Sequence, residues 1–221
     1  MIIVMLGAPG VGKGTMSKSL SEYYEIPHIS TGDILRNIAS KDDEFSQKVK
    51  SYIDMGKLVP EDIMNELITK RLEEKDTVNG YILDGFPRTM TQVKFLENYL
   101  KEKNKKIDGI INLETPKEEI IDRIINRVVC PKCNAIYNLK YNKPIIEGHC
   151  DNCDTKLVSR ADDNKEKIEA RLKEYEHKTY DIIKYYKDKG ELFKVLICDI
   201  AGKTSKDALK AIIWYLENKN K

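Results

Sequence analysis

Residues 1–15 read MIIVMLGAPGVGKGT, in which an apolar run enters a glycine-rich loop and the chain then turns amphipathic. Glycines let a backbone wrap closely around phosphate groups, so that successive amides and the start of the next helix face the anion. Lys13 adds a mobile positive charge for the outer phosphates of a nucleotide. Thr15 follows one residue later than the hydroxyl of the usual pattern, because Gly14 intervenes. We predict a nucleotide-phosphate site made by Gly10, Val11, Gly12, Lys13, Gly14 and Thr15.

The composition is that of a folded chain with a nearly balanced charge. Its 221 residues are 41% hydrophobic and 33% charged, with a net charge of +2. The apolar content excludes a wholly disordered chain, and the charge lacks the basic excess of a dedicated nucleic-acid-binding protein. No stretch approaches the roughly 18 apolar residues of a membrane span, and the run before Gly7 is too short for a signal-peptide core. We therefore expect a cytoplasmic protein with one domain that carries insertions.

Short apolar runs alternate with longer amphipathic stretches along the chain. The predicted strands are residues 1–6, 27–29, 80–83, 109–113 and 193–197. The predicted helices are residues 13–24, 60–74, 89–103, 116–126, 163–189 and 205–216. This alternation predicts an α/β fold with a doubly wound, parallel, five-stranded sheet. Residues 30–59 and 127–163 do not follow the alternation, and we interpret both as insertions into the core.

Four cysteines form two Cys-x-x-Cys pairs, Cys130 with Cys133 and Cys150 with Cys153, separated by sixteen residues. This spacing predicts one Zn²⁺ ion bound by four thiolates, which leaves no open coordination position and indicates a structural site. Metal binding would stabilise a small polar insertion that buries little apolar surface. Two disulfides are the alternative, which a reducing compartment disfavours. The fifth cysteine, Cys198, ends an apolar run and is predicted to be buried.

Further motifs follow the phosphate loop. They are STGDILR at residues 30–36, DGFPR at 84–88, DRIINR at 122–127 and RADD at 160–163, with Arg171 beyond. Together with the glycine inserted after Lys13, these motifs resemble the nucleoside monophosphate kinases, and most closely the long-lid, zinc-bearing adenylate kinases. The resemblance covers the whole chain. It implies transfer of the terminal phosphoryl group of ATP to AMP, giving two ADP, with Mg²⁺ accompanying ATP.

Carried over position by position, the resemblance implies two nucleotide sites. For AMP it implies Thr31, Arg36, Lys57, Leu58, Val59, Gly85, Phe86, Pro87, Arg88, Gln92, Arg160 and Arg171. For ATP it adds to the phosphate loop Arg127, Ile136, Tyr137 and, in the loop 202–204, Thr204. Many relatives carry a second arginine where this chain has Val128, which removes one lid contact. Residues 30–59 would then be an AMP-binding insertion, residues 127–163 a zinc-binding lid, and residues 1–29, 60–126 and 164–221 the core.

The residue types suit phosphoryl transfer, which needs alignment and charge neutralisation more than covalent help. Arginine binds phosphate oxygens in pairs and stays charged. The predicted catalytic residues are Lys13, Asp84, Arg88, Arg127, Arg160 and Arg171. Asp84, at the end of a predicted strand, is expected to hold the Mg²⁺ hydration shell with assistance from Asp33. The alternative is that Asp33, Asp162 and Asp163 only cap helices.

The sequence also leaves other functions open. A relative of the same family could use GTP as donor or accept UMP or CMP, although the resemblance implies that Thr31 favours AMP and that the four cysteines favour ATP over GTP. From a different class, the chain could be a phosphate-loop switch with a nucleic-acid-binding zinc ribbon, but the cysteine region lacks a basic, aromatic face. The expected partners are ATP, AMP and ADP, without nucleic acid or membrane, and the resemblance implies a monomer.

Overall fold

The computed structural model describes residues 1–198 and 204–219, with a parallel β-sheet at its centre. The strands in chain order are β1 Ile2–Gly7, β2 His28–Ser30, β3 Tyr81–Asp84, β4 Gly109–Glu114, β5 Arg127–Val129, β6 Ile136–Asn138 and β7 Leu192–Leu196. Within the described residues, five strands form a parallel sheet in the order β2-β3-β1-β4-β7, and β5 pairs antiparallel with β6. The predicted α/β class with a five-stranded parallel sheet is confirmed.

The helices begin where side chains can accept first-turn amide protons. Ser30, Asp43, Thr89, Asn164 and Thr204 accept such protons at the starts of α2, α3, α5, α7 and α8. The bounds are α1 Lys13–Tyr24, α2 Thr31–Ala39, α3 Glu44–Asp54, α4 Glu61–Leu72, α5 Met90–Glu102, α6 Lys117–Ile125, α7 Lys165–Asp188 and α8 Ser205–Asn218.

The core lies on both faces of the sheet. β1 is buried along its whole length, and its side chains alternate between the two faces. Ile3 faces a cluster that contains Leu20 of α1 and Ile212 of α8. Val4 faces the opposite cluster, which contains Leu96 of α5. Helices on both faces explain why β1 reads as a continuous apolar run rather than an alternating one.

The carboxyl ends of neighbouring strands bring the sequence motifs together. β1 pairs with β3 so that Met5 lies opposite Asp84, and β2 pairs with β3 so that Ser30 lies opposite the same residue. The phosphate loop, the start of α2 and the DGFPR motif therefore meet at one edge of the sheet. In open α/β sheets, ligands bind at this edge. Between β2 and α4 the chain contributes only α2 and α3, which contact each other.

Candidate active site

The phosphate loop leaves β1 and curls over the start of α1. Gly10 has a φ of 85°, and a Cβ there would lie 2.4 Å from Ile124, so only glycine fits without a clash. α1 begins at Lys13, so its first-turn amides face the loop. The Lys13 ammonium donates to the carbonyl oxygens of Gly7 at 2.8 Å and Ala8 at 3.0 Å, which holds it over the loop. The predicted segment therefore has the geometry of loops that bind anions.

The charge of Lys13 depends on its surroundings. Burial is the main reason that the pKa of Lys13 falls to about 8. The carboxylate of Asp84 opposes this effect, whereas the guanidinium groups of Arg88, Arg171 and Arg127 lower the pKa of Lys13 further. An anion bound among these cations would favour the protonated lysine.

Asp84 ends β3 and faces the phosphate loop. Its side chain is buried, and a Cβ on Gly14 would lie 3.6 Å from its Oδ2 atom. The same Oδ2 lies 3.2 Å from Nε2 of His28. Burial raises the pKa of Asp84, but the hydrogen bond to His28 and the charges of Lys13 and Arg88 bring it below its ordinary value. A buried, ionised carboxylate beside a phosphate loop fits the donor that a hydrated Mg²⁺ ion prefers.

A cleft opens between α2, the start of α4 and the DGFPR motif. Together with its solvent-open mouth, the cleft contains about 320 Å³ of empty space. Its lining contains seven residues that the resemblance assigned to AMP, namely Thr31, Lys57, Leu58, Val59, Gly85, Arg88 and Gln92. Leu35 and Met64 complete the lining and were not anticipated from the sequence. The sequence did not mark these two residues as ligand contacts, because an apolar residue on an amphipathic helix usually belongs to the hydrophobic core.

Arg88 is held at the cleft by its own motif. Its Nε atom donates to the carbonyl oxygen of Gly85 at 2.8 Å, and its backbone amide donates to Oε1 of Gln92 at 2.7 Å. The hydroxyl of Thr31 donates to the Asp84 carbonyl oxygen at 3.2 Å and joins α2 to the same turn. Burial is the main reason that the pKa of Arg88 falls to about 10. Phe86 is fully buried, and its peptide bond to Pro87 is cis.

Further arginines lie close enough to Lys13 or Arg88, or to one another, for their charges to interact, although they do not line the cleft, and carboxylates accompany three of them. Arg36 pairs with Asp33, Arg127 with Asp163 and Arg171 with Asp162, at N–O distances of 2.5, 2.5 and 2.8 Å. Burial, followed by repulsion from Arg127 and Arg36, lowers the pKa of Arg160 to about 10. Repulsion among guanidinium groups indicates an anion site, because bound phosphates would relieve it.

Asp162 and Asp163 do not cap α7. The cap is Asn164, whose side chain accepts the Lys167 amide, and the helix begins at Lys165. Burial raises the pKa of Asp162, but Arg171 and other nearby arginines bring it below its ordinary value. Asp33 likewise is not a cap, because Ser30 caps α2 and accepts the Asp33 amide. The alternative that these aspartates only cap helices is therefore wrong, since charged guanidinium groups lie within reach and offer stronger partners.

The lid, residues 127–163, reaches the phosphate loop through β6. The Ile136 side chain lies 3.7 Å from the position of a Cβ on Gly14. Tyr137 points the other way and is buried in a small cluster with the cysteines. Thr204 caps α8, and its hydroxyl bonds the Asp207 carboxylate at 2.7 Å. The remainder of the predicted loop, residues 202 and 203, lies outside the described residues.

The four paired cysteines converge in the lid as free thiols, which removes the disulfide alternative. Their Sγ atoms all lie within 4.8 Å of one another, and the Cys130–Cys153 and Cys133–Cys150 separations are 3.4 and 3.5 Å. A tetrahedral Zn²⁺ with Zn–S bonds of about 2.3 Å places its sulfurs roughly 3.8 Å apart. The group therefore fits zinc. Cys198, two residues beyond the end of β7, is buried, as predicted.

Comparisons with known proteins agree with this geometry. The sequence model of the adenylate kinase family matches residues 5–191. The chain is 46% identical to the adenylate kinase of Clostridium perfringens (strain SM101 / Type A) over 192 residues, which cover 87% of this chain and 89% of the relative. It is 43% identical to that of Caldicellulosiruptor bescii over 212 residues, covering 96% and 99%. It is 45% identical to that of Archaeoglobus fulgidus over 195 residues, covering 88% and 90%.

The helices add one further observation. Among the described residues, no helix is both long enough and apolar enough to cross a membrane. The family match spans most of the chain, and the relatives are matched along nearly their whole length. This chain belongs to the adenylate kinase family and is a phosphotransferase.

Proposed function

We propose that this protein transfers the terminal phosphoryl group of ATP to AMP, reversibly and with Mg²⁺, to give two ADP. The observation that carries the proposal is the convergence of one lysine and several arginines between the phosphate loop and the cleft below α2. Two anionic substrates that meet at this point would be aligned and neutralised by the same charges. Alignment and charge neutralisation are the main requirements of phosphoryl transfer.

AMP would occupy the cleft between α2, the start of α4 and the DGFPR motif. Residues Lys57, Leu58 and Val59 would line its base, and Leu35 and Met64 would supply apolar walls. The remaining members of the proposed site, which hold the phosphate or shape its turn, are Thr31, Arg36, Gly85, Phe86, Pro87, Arg88, Gln92, Arg160 and Arg171. Supporting this assignment, Arg88 and Gln92 are fixed by hydrogen bonds at the cleft wall.

ATP would bind on the other side of the arginine cluster. Its phosphates would lie in the loop formed by Gly10, Val11, Gly12, Lys13, Gly14 and Thr15. The lid would add Arg127, Ile136 and Tyr137, and Thr204 would approach from the start of α8. In support, Ile136 already lies beside the phosphate loop.

The catalytic group would be Lys13, Arg88, Arg127, Arg160 and Arg171, with Asp84. The cations would bind the non-bridging oxygens of the transferred group as charge redistributes. A monophosphate acceptor is already anionic at neutral pH, so no general base is required. The carboxylates that pair with Arg127 and Arg171 would keep those side chains oriented before the substrates arrive.

Two metal ions would accompany this chemistry. Asp84 would hold the hydration shell of Mg²⁺, with Asp33 nearby on α2, and the ion would neutralise charge on the ATP phosphates. Cys130, Cys133, Cys150 and Cys153 would hold one structural Zn²⁺ per chain. We further propose three working parts: the AMP-binding insertion 30–59, the zinc-binding lid 127–163, and a core of residues 1–29, 60–126 and 164–221. The protein would act as a monomer, because one chain supplies every residue of both proposed sites.

A donor and acceptor panel tests this function. ADP formation is measured from Mg·ATP with AMP, CMP, UMP or GMP as separate acceptors, and then with Mg·GTP as donor. We expect turnover only with the ATP and AMP pair. Efficient transfer to CMP or UMP, or from GTP, would assign the chain a different specificity in the family. If a folded, zinc-loaded sample transfers phosphate to none of the acceptors, the proposal is wrong.

A further inference from the structure

Successive side chains of β6 point to opposite sides of the strand, so neighbouring residues contact different parts of the protein. Ile136 faces the phosphate loop, and the next residue, Tyr137, faces the cysteine cluster. Tyr137 is 6% exposed, so its hydroxyl has little access to water. A buried tyrosine hydroxyl needs a hydrogen-bond partner within the protein. Its surroundings offer two candidates, a backbone amide and a cysteine sulfur.

The direction of these hydrogen bonds follows from the chemistry of the partners. The Asp151 amide donates to the Tyr137 hydroxyl oxygen at 2.8 Å, so that oxygen acts as an acceptor there. The hydroxyl proton is then free to point toward Sγ of Cys150, which lies 3.5 Å away and is 3% exposed. A zinc-bound thiolate carries no proton and can only accept. The hydrogen bond therefore runs from Tyr137 to Cys150.

We propose that Tyr137 is a positioning residue for the zinc ion, acting through the Cys150 thiolate. Its hydroxyl fixes the direction of that sulfur and offsets part of its negative charge. Such outer-shell partners typically change metal affinity by 10–100-fold. This inference rests on the proposed zinc site and goes beyond it, because Tyr137 was expected only as a contact to ATP. The side chain that carries the effect faces away from the phosphate loop.

The lid supplies a matched control tyrosine. Tyr141 donates to the Asp122 carboxylate at 2.6 Å and is 37% exposed. Its hydroxyl bonds no cysteine among the described contacts of the lid. Tyr141→Phe therefore removes the same atom from the same lid without touching the metal cluster.

The test compares zinc binding by the full-length wild type, Tyr137→Phe and Tyr141→Phe proteins. Zinc content is counted by elemental analysis, and affinity is measured by competition with 4-(2-pyridylazo)resorcinol. We expect one zinc per chain in the wild type, a roughly 10–100-fold weaker affinity in Tyr137→Phe, and wild-type affinity in Tyr141→Phe. Equal affinities in all three proteins would overturn the role of Tyr137 alone. A wild type that binds no zinc would overturn both this inference and the zinc proposal.

Replacing zinc with cobalt distinguishes loss of the hydrogen bond from Tyr137 to the Cys150 sulfur from a general loosening of the lid. Loss of a hydrogen bond to a thiolate raises the energy of the sulfur electrons, so the sulfur-to-cobalt charge-transfer band of Tyr137→Phe should move to longer wavelength. An unmoved band would contradict the inference. If Tyr137→Phe does not fold, ¹¹³Cd-loaded wild-type protein provides the readout. We expect the Tyr137 hydroxyl proton to couple to the metal, and its failure to do so would count against the proposal.

Discussion

At the scale of single residues, three arginines of the site are held in place by carboxylates. Arg127 and Arg171 each contact an aspartate of the lid exit, and Arg36 contacts Asp33. A guanidinium group that is already oriented loses less conformational freedom when a phosphate binds. The arginines are therefore preorganised for anions, and their removal should affect turnover far more than folding.

Arg88→Ala tests this at the centre of the site. We expect the variant to fold normally and to lose turnover by about 10³-fold or more, because a well-placed arginine contributes about 10³–10⁵ in rate. The measurement is kcat with saturating ATP and AMP, with circular dichroism as the check on folding. Arg71→Ala is the matched control, because Arg71 of α4 binds Asp76, which follows that helix, and both lie outside the cleft lining. Full activity in Arg88→Ala would contradict the assignment.

Gly85→Ala tests how closely the cleft wall is packed. A Cβ at Gly85 would lie 2.5 Å from Oγ1 of Thr31 and 2.9 Å from Nη2 of Arg88, on a backbone with φ of +83°. The variant should displace both side chains and raise the KM for AMP much more than the KM for ATP. Gly190→Ala carries similar backbone strain, at φ of +70°, with nothing within 4 Å of the new Cβ. If both substitutions raised the KM for AMP equally, backbone strain rather than displacement of Thr31 and Arg88 would explain the effect.

Lys13 predicts a pH effect on ATP binding. Its pKa of about 8 means that the empty site holds a largely neutral lysine at pH 9. Phosphate groups, with a second pKa near ~6, are then fully ionised and favour the charged lysine. Binding at pH 9 should therefore take up a proton, and affinity should fall as pH rises through 8. Titration calorimetry in two buffers of different ionisation enthalpy measures this uptake.

The exposed Lys70 provides the control for that measurement, since Lys70→Met should leave the uptake unchanged. A proton count of zero at pH 9 would contradict the expectation for Lys13.

Some site residues could be placed from the sequence and others could not, and the difference lies in whether strand pairing alone fixes their position. Lys13, Asp84 and Arg88 follow apolar strands, so their place at the sheet edge follows from parallel pairing. The function of Asp162 and Asp163 could not be predicted in this way, because an aspartate before a helix also suits a cap. His28 gave no signal either, and its contact with Asp84 arises only from the pairing of β2 with β3.

At the scale of elements, the lid depends on the cysteine turns for its order. β5 and β6 are three residues each, and the apolar cluster beside them is built on Cys130, Ala135, Tyr137, Cys150 and Leu157. So small a cluster cannot offset the entropy of ordering the lid. A bound metal would supply the missing stability.

Removing zinc should therefore loosen the lid before the core. We expect the peptides of residues 127–163 to lose protection from hydrogen exchange after chelation, while β1 and β4 keep theirs. The melting transition should also move to lower temperature. Elemental analysis must first verify that zinc was present and has been removed. Identical exchange before and after metal loss would contradict the structural role of zinc.

The observed ends of the helices show which boundaries can be predicted accurately from the sequence. The start of α1 at Lys13 matched the expectation, because a glycine loop ends abruptly there. The predicted helix 163–189 is observed as Lys165–Asp188, because ion pairs hold the two residues before Asn164 outside it. The order of the strands was not predicted from the sequence, because strand patterns alone do not specify which strands become neighbours.

At the scale of the whole molecule, three regions close on one space. Asp54, at the end of α3, accepts from Lys167 of α7 at 2.8 Å, and Ile136 of the lid reaches Gly14. The insertion thus contacts α7, and the lid contacts the phosphate loop. On the proposed function, closing these regions over the bound substrates would exclude water, which would otherwise compete with AMP for the transferred phosphoryl group.

The central claim is that the phosphoryl group passes from ATP to AMP and not to water. The most direct measurement is ³¹P NMR of a reaction that contains the enzyme, Mg·ATP and AMP. We expect ATP and AMP to disappear in equal amounts while two ADP form for each ATP consumed, with no inorganic phosphate. Consumption of ATP with release of inorganic phosphate and no loss of AMP would contradict the account and indicate a hydrolase.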